Sequence, residues 1–159
     1  MSQSVRRVSL VLSVVLLAAA IGCGDGMPKR VPIAGTVTLN GKPLERGFVQ
    51  VVPKSGPAAT GEIGPGGKFR LTTINDNDGC ILGTHEVAII ANESQGPNAM
   101  KWYAPKNYAD ASTSGLTLTV TEPKENVTFE LTSQSDEPEI ERFENEGTMP
   151  PVGAEEAKK

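Results

Sequence analysis

Apolar and polar residues alternate through the middle of this chain, and the alternation predicts strands. In Ile33-Ala34-Gly35-Thr36-Val37-Thr38-Leu39, residues 33, 35, 37 and 39 share one side, while Thr36 and Thr38 take the other. A period of two marks a strand with one buried face. Asn40-Gly41 then signals a tight turn. A second strand follows from Phe48, with Val49 and Val51 inward and Pro53 closing it. Behind Gly64-Pro65-Gly66-Gly67 comes a third, long strand with Phe69 and Leu71 inward, and Ala59 to Ile63 is a candidate short strand beside it. Gly83 to Ile90 predicts another, with His85, Val87 and Ile89 on one face. Leu116, Leu118 and Val120, then Val127, Phe129 and Leu131, predict two last strands, joined as a hairpin by Glu122-Pro123-Lys124-Glu125. The fold class expected is all-β: an immunoglobulin-like or prealbumin-like β-sandwich of about seven strands over residues 33–132.

The two ends and one loop break this rhythm. Val8 to Ile21 is an apolar run interrupted only by Ser9 and Ser13, and Arg6 and Arg7 precede it. It is shorter than the roughly twenty residues of a membrane span and fits the apolar region of a signal peptide. Ala20-Ile21-Gly22-Cys23 resembles the lipobox of bacterial lipoproteins, in which the bond before the cysteine is cut and the cysteine is acylated. That resemblance implies a signal peptide over 1–22, lipidation at Cys23, and a tether over 23–32. Asn92 to Ser114 reads as a long connection carrying Trp102, Tyr103 and Tyr108, and long loops in compact domains are commonly functional. Ser133 to Lys159 holds eight acidic residues and few apolar ones, so a disordered acidic tail is expected over 133–159.

Charge narrows the partners. The chain has 15 basic and 19 acidic residues. After removal of 1–22 the balance is 13 against 19, and over 23–132 it is 10 against 11. A nucleic-acid partner needs a basic face, and none is implied. The partners expected are the membrane, through lipid on Cys23, and an envelope protein or a carbohydrate. Only Cys23 and Cys80 are present, so a lipidated Cys23 leaves Cys80 as a lone thiol, read as a small packed residue.

Taken in order, "GTVTLNGKPLERGFVQVVP", "ATGEIGPGGKFRLTT", "DGCILGTHEVAI", "APKNYADASTSGLTLTV" and "NVTFEL" resemble the carboxypeptidase regulatory-like, or transthyretin-like, lipoproteins of planctomycete bacteria. The resemblance runs from about Cys23 to Leu131. It implies a prealbumin-like sandwich on a lipid tether, exported and facing the periplasm or the surface, with no established activity. Where this family commonly has Tyr, the chain has His85, which points to a ring packed in the core.

Candidate chemistry is sparse. Asn75-Asp76-Asn77-Asp78-Gly79 invites a calcium reading, but aligning Gly79 with the glycine of an EF-hand loop puts Ile74 first and His85 twelfth, neither of which fits. Asp and Asn are also what turns require, so a turn is expected and no metal. A nucleophile needs a base within reach, and His85 is the only histidine, five residues after Cys80 with no third group to orient it. No catalytic residue and no cofactor are assigned. The hydroxyisourate hydrolases share the transthyretin fold, but their several histidines and C-terminal signature are absent. Trp102, Tyr103 and Tyr108 remain as candidate contacts to a ligand or partner, since aromatic faces pair with sugar CH groups. The first reading is a structural or protein-binding envelope module without catalysis. The alternatives are carbohydrate or small-ligand binding through 92–114 and, last, an enzyme using His85.

Overall fold

The structure is a computed structural model, and it describes residues 28–143. The signal run, Cys23 and the start of the tether lie outside the described residues, as does the tail from residue 144. No helix among the described residues is long and apolar enough to cross a membrane. The described chain is all-β, half of it strand, in four sheets.

In chain order the strands are β1 (Arg30–Val31), β2 (Ile33–Leu39), β3 (Lys42–Pro43), β4 (Phe48–Val52) and β5 (Ala59–Glu62). Next come β6 (Lys68–Arg70), β7 (Cys80–Ile81), β8 (Gly83–Ile90) and β9 (Asn92–Ser94). The last four are β10 (Ala99–Trp102), β11 (Leu116–Val120), β12 (Lys124–Leu131) and β13 (Glu139–Arg142). One sheet has the order β11-β8-β4-β5, and a second the order β12-β2-β3, with β6 also paired to β2. Both feed one core, where Ile33, Val37, Phe69, Phe129 and Leu131 from one sheet meet Val49, Val51, Val87, Ile89 and Leu118 from the other. These are the alternate positions the sequence pattern assigned to the inside. Each such side chain removed from water contributes about 1.5–3 kcal/mol.

Two local features follow directly from residue type. Asn40 and Gly41 both have positive φ, 50° and 77°, as the two-residue turn between β2 and β3 requires. Gly35 sits where β12 shifts register between Lys124 and Val127. A β-carbon there would collide with the Val127 carbonyl and come within 2.9 Å of the Phe69 ring. Without one, Phe69 and Phe129 stack across the sheet at 5.7 Å.

The structure corrects several expectations. The residues 122–125 do not close a hairpin. β11 pairs with β8, whereas β12 crosses to the other sheet and lies parallel to β2. A turn and two alternating strands look alike in sequence whether the strands pair or part, because either arrangement buries the same faces. β5 pairs with β4, and meets the segment after β6 only through a bridge between Thr60 and Thr72. The chain assigned to the tether contains β1, which pairs with β7. The long connection 92–114 contains the β9/β10 hairpin and a 3-10 turn over Lys106–Ala109. The tail is not disordered from residue 133, since β13 pairs along all four residues of β10. Among the described residues thirteen short strands replace about seven, because β1, β3, β9, β10 and β13 form in segments read as tether, turn, loop and tail, which carry no period-two apolar pattern.

Candidate functional site

The third sheet, β13-β10-β9, builds the site. Gly96, at φ 105°, lets the chain reverse between β9 and β10. The turn is closed by the Gln95 amide donating to Ala99 O at 2.8 Å. β13 then covers the other edge of β10, placing Glu139 opposite Trp102 and Glu141 opposite Met100. Opposed residues share a face, so Trp102 and Glu141 lie on the same side. The Trp102 indole donates to Glu141 Oε2 at 3.0 Å, and Lys106 Nζ donates to Glu141 Oε1 at 2.6 Å. The same ammonium stands 5.6 Å from the Trp102 ring centre. The Lys106 ammonium and, after it, the Trp102 N–H hold the Glu141 carboxyl below its ordinary range.

Tyr103 continues the strand and turns to the opposite side. Its amide bonds Ala91 O at 2.8 Å, and its hydroxyl donates to Glu93 Oε2 at 2.6 Å. Arg46 covers its ring at 4.3 Å and Lys101 approaches at 5.0 Å, a cation–π arrangement. Tyr108 belongs to the 3-10 turn that follows Pro105. Its hydroxyl accepts from the Thr132 amide at 3.2 Å, which ties the turn to the end of β12.

Beyond β12 the chain is held by a side chain the sequence marked only as a turn. Asn40 Oδ1 accepts from the Ser133 amide at 2.9 Å, while its Nδ2 donates to Ser133 O at 3.1 Å and to Asp136 Oδ1 at 2.7 Å. Lys42 Nζ adds a contact of 2.6 Å to Asp136. The Asn40 amide, then Lys42, lower the Asp136 carboxyl, and Asp136 raises Lys42. This segment leads into β13 and forms one wall of a cleft.

The cleft has a volume of about 580 Å³. Trp102, Tyr103 and Tyr108 all border it, together with Asn107, Gln134 and Glu139. The structure therefore brings the three candidate residues to one concavity. It does not join them into one stacking plane, because consecutive strand residues face opposite ways and the ring of Tyr103 is covered by Arg46. Glu141, Lys106, Glu93, Arg46 and Asn40 were not picked out by sequence reasoning. Nothing in the sequence marks Glu141: Glu139-Ile140-Glu141-Arg142 has a single apolar member, so no period of two announces the strand.

His85 and Cys80 lie elsewhere. His85 is 4% exposed and does not border the cleft. Its Nε2 lies 2.8 Å from Ile81 O. A carbonyl only accepts, so Nε2 carries the proton, and Nδ1 is left with no partner. The Cys80 thiol is buried, and burial pushes its pKa up to about 11. The 75–79 loop is closed by Asp78, which accepts from the amides of Thr73 at 2.7 Å and Asn75 at 3.1 Å and pairs with Arg30 at 2.9 Å. Burial alone would raise the Asp78 carboxyl, but those amides, that of Ile74 and Arg30 together hold it low. The loop is a turn locked by its own carboxylate. Among the described residues no three His, Cys, Asp or Glu side chains form a metal-binding group.

Comparison with family models, with curated proteins and with solved structures finds no match.

Proposed function

We propose that this protein is an exported, lipid-anchored binding module of the cell envelope, and that the aromatic cleft is its ligand site. The observation that carries the proposal is the convergence of Trp102, Tyr103 and Tyr108 on one concave surface. A concave, partly aromatic lining with amide and hydroxyl groups at its rim suits a carbohydrate or another small hydroxylated ligand better than a flat protein footprint. The same reading takes the two sheets around one core as a prealbumin-like β-sandwich, in line with the family resemblance. Anchoring rests on the apolar run and the lipobox-like residues 20–23. Binding without catalysis is favoured because the single histidine is packed in the core, and the thiol that precedes it is buried and held protonated.

Trp102 is the only tryptophan of the chain, so its fluorescence reads the cleft alone. Titration with oligosaccharide fragments from the envelope should shift Trp102 emission in a saturable way, and Trp102→Ala or Tyr108→Ala should weaken binding at least tenfold with folding intact. Binding that survives both substitutions would remove the cleft from the function. Mass spectrometry of the protein from membranes should show acylated Cys23 at its N-terminus; an unmodified Cys23 there would end the anchoring part of the proposal.

A further inference from the structure

The pairing of β1 fixes where the N-terminal segment leaves the domain. Arg30 lies opposite Ile81 and Val31 opposite Cys80, and the Leu82 amide extends the pairing by donating to Lys29 O at 3.3 Å. Asp78, which pairs with Arg30 at 2.9 Å, also accepts from the Ile74 amide at 3.3 Å. The chain is therefore bound to the sandwich from Lys29 onward, and Ile74 and Leu82 belong to the two segments that bind it. Lys29 is six residues after Cys23. Whatever their conformation, six residues span at most about 22 Å.

The strand registers place this exit and the cleft at opposite ends. At the exit end Lys124 pairs with Ile33, Val120 with Gly83 and Val52 with Glu86. At the other end Leu131 pairs with Leu39 and Phe48 with Ile90, and there Leu39, Tyr108 and Thr132 border the cleft. The seven residues of β2 run from one end to the other, a length of about 20 Å. Ile74 and Leu82, at the exit end, are 47% and 41% exposed. Phe48, Ile140 and Phe143 are similarly exposed, so exposure does not single the pair out; its position beside the exit does. The loops around it carry Lys29 and Lys54 against Asp76 and Glu122, all exposed, so the charges balance. The 53–58 loop, with Lys54, lies here because a β-carbon on Gly56 would stand 3.3 Å from Ile81 Cδ1.

We infer that the exit end docks on the lipid surface, with Ile74 and Leu82 entering the outer edge of the bilayer, and that the cleft faces away from the membrane. The inference rests on the lipid anchor proposed for Cys23. A lipid surface is the occupant because an anchor six residues before Lys29 keeps that surface within reach of both side chains, and a tethered contact needs little affinity of its own. At headgroup level the charged side chains beside the pair keep their water, so only the two aliphatic tips are taken from it. Balanced charge makes the contact apolar and independent of anionic lipid. The cleft is then held a strand length beyond the docked end, open to a ligand too large to enter between domain and membrane.

Quenching by brominated lipid tests both halves. The processed, acylated full chain is reconstituted on vesicles of phosphatidylcholine with brominated acyl chains and recovered by flotation. In Trp102→Phe chains carrying Leu82→Trp or Ile74→Trp, the introduced indole should emit at shorter wavelength and lose intensity at least twofold relative to vesicles without bromine. Trp102 of the otherwise unaltered chain, at the far end, should keep its intensity. Neither result should change in about 0.5 M salt or on adding phosphatidylglycerol. Circular dichroism checks the folding of each variant. An introduced indole that stays unquenched at either position, in a folded chain that floats, overturns the docking and leaves the anchor standing. Quenched Trp102 overturns the orientation, and quenching at 74 and 82 that needs phosphatidylglycerol or vanishes in salt overturns the apolar contact. A chain that does not float with the vesicles ends the anchor, and this inference with it.

Discussion

The two core sheets and the β13-β10-β9 sheet use the same backbone pairing but are held by different forces. In the core, Ile33, Val37, Val49, Val51 and Leu131 are almost wholly removed from water. In the third sheet the large apolar residue of the covering strand, Ile140, is 54% exposed, and Phe143 just after it is 46% exposed. There the holding contacts are Lys106–Glu141, the Trp102 N–H on Glu141, and the Asn40 and Lys42 contacts to Asp136. Apolar burial is non-directional and is not screened by ions, whereas exposed charge pairs are directional, screened, and individually weak. The contrast teaches that the cleft can yield or re-form at its β13 wall while the core beneath stays closed, since local opening is drawn from the regions of least burial.

The strongest way to break this contrast is to charge the core. His85→Asp would bury an unpaired carboxylate, a loss of about 3–5 kcal/mol, and both regions should unfold together. His85→Phe keeps a ring and should cost only about 1 kcal/mol, because Ile81 O loses its donor. Thermal melts of the pair check this. If His85→Asp opened the third sheet alone, the core would not be the support of the cleft.

Ending the chain after Glu137 gives a smaller effect. It removes β13 and Glu141 together, leaving β10 an open edge. Global stability should fall by no more than about 2 kcal/mol, while Trp102 emission should move to longer wavelength as its neighbours leave. A collapse of the whole melt would show that the core leans on β13.

Acid should sharpen the comparison with the smallest effect. Glu141 and Asp136 have folded values below their ordinary ones. Their contribution is therefore fully present above the ordinary carboxylate range and is lost as pH falls through the lowered values, below about pH 4. Between neutral pH and about pH 5 the third sheet should be unchanged. Below that window amide exchange should quicken in β13 and β10 before it does in β2 or β8. Exchange that quickens equally in both regions would contradict the division.

How much of this was legible in the sequence differs between the two regions in the same way. The inward faces of β2, β4, β8, β11 and β12 were readable because a half-buried strand writes its burial as a period of two. Asn40-Gly41 was readable as a turn because few other pairs tolerate positive φ in succession. Trp102, Tyr103 and Tyr108 were readable as candidate contacts because the chain is otherwise poor in aromatic residues. Their meeting place was not. It depends on β13, which carries too little apolar residue to announce itself and is ordered by backbone pairing and by charges that lie far apart in the chain. Nor does the sequence say that β11 and β12 part into different sheets, since the pattern records which face is buried and not which strand lies alongside. The sequence by itself determined the strand faces, the turn at Asn40 and the inward placing of His85, because burial and φ are local demands on single residues. Only the tertiary structure decided the parallel pairing of β2 with β12, the clamp of Asn40 on Ser133 and Asp136, and the cleft, because those rest on contacts between residues dozens of positions apart.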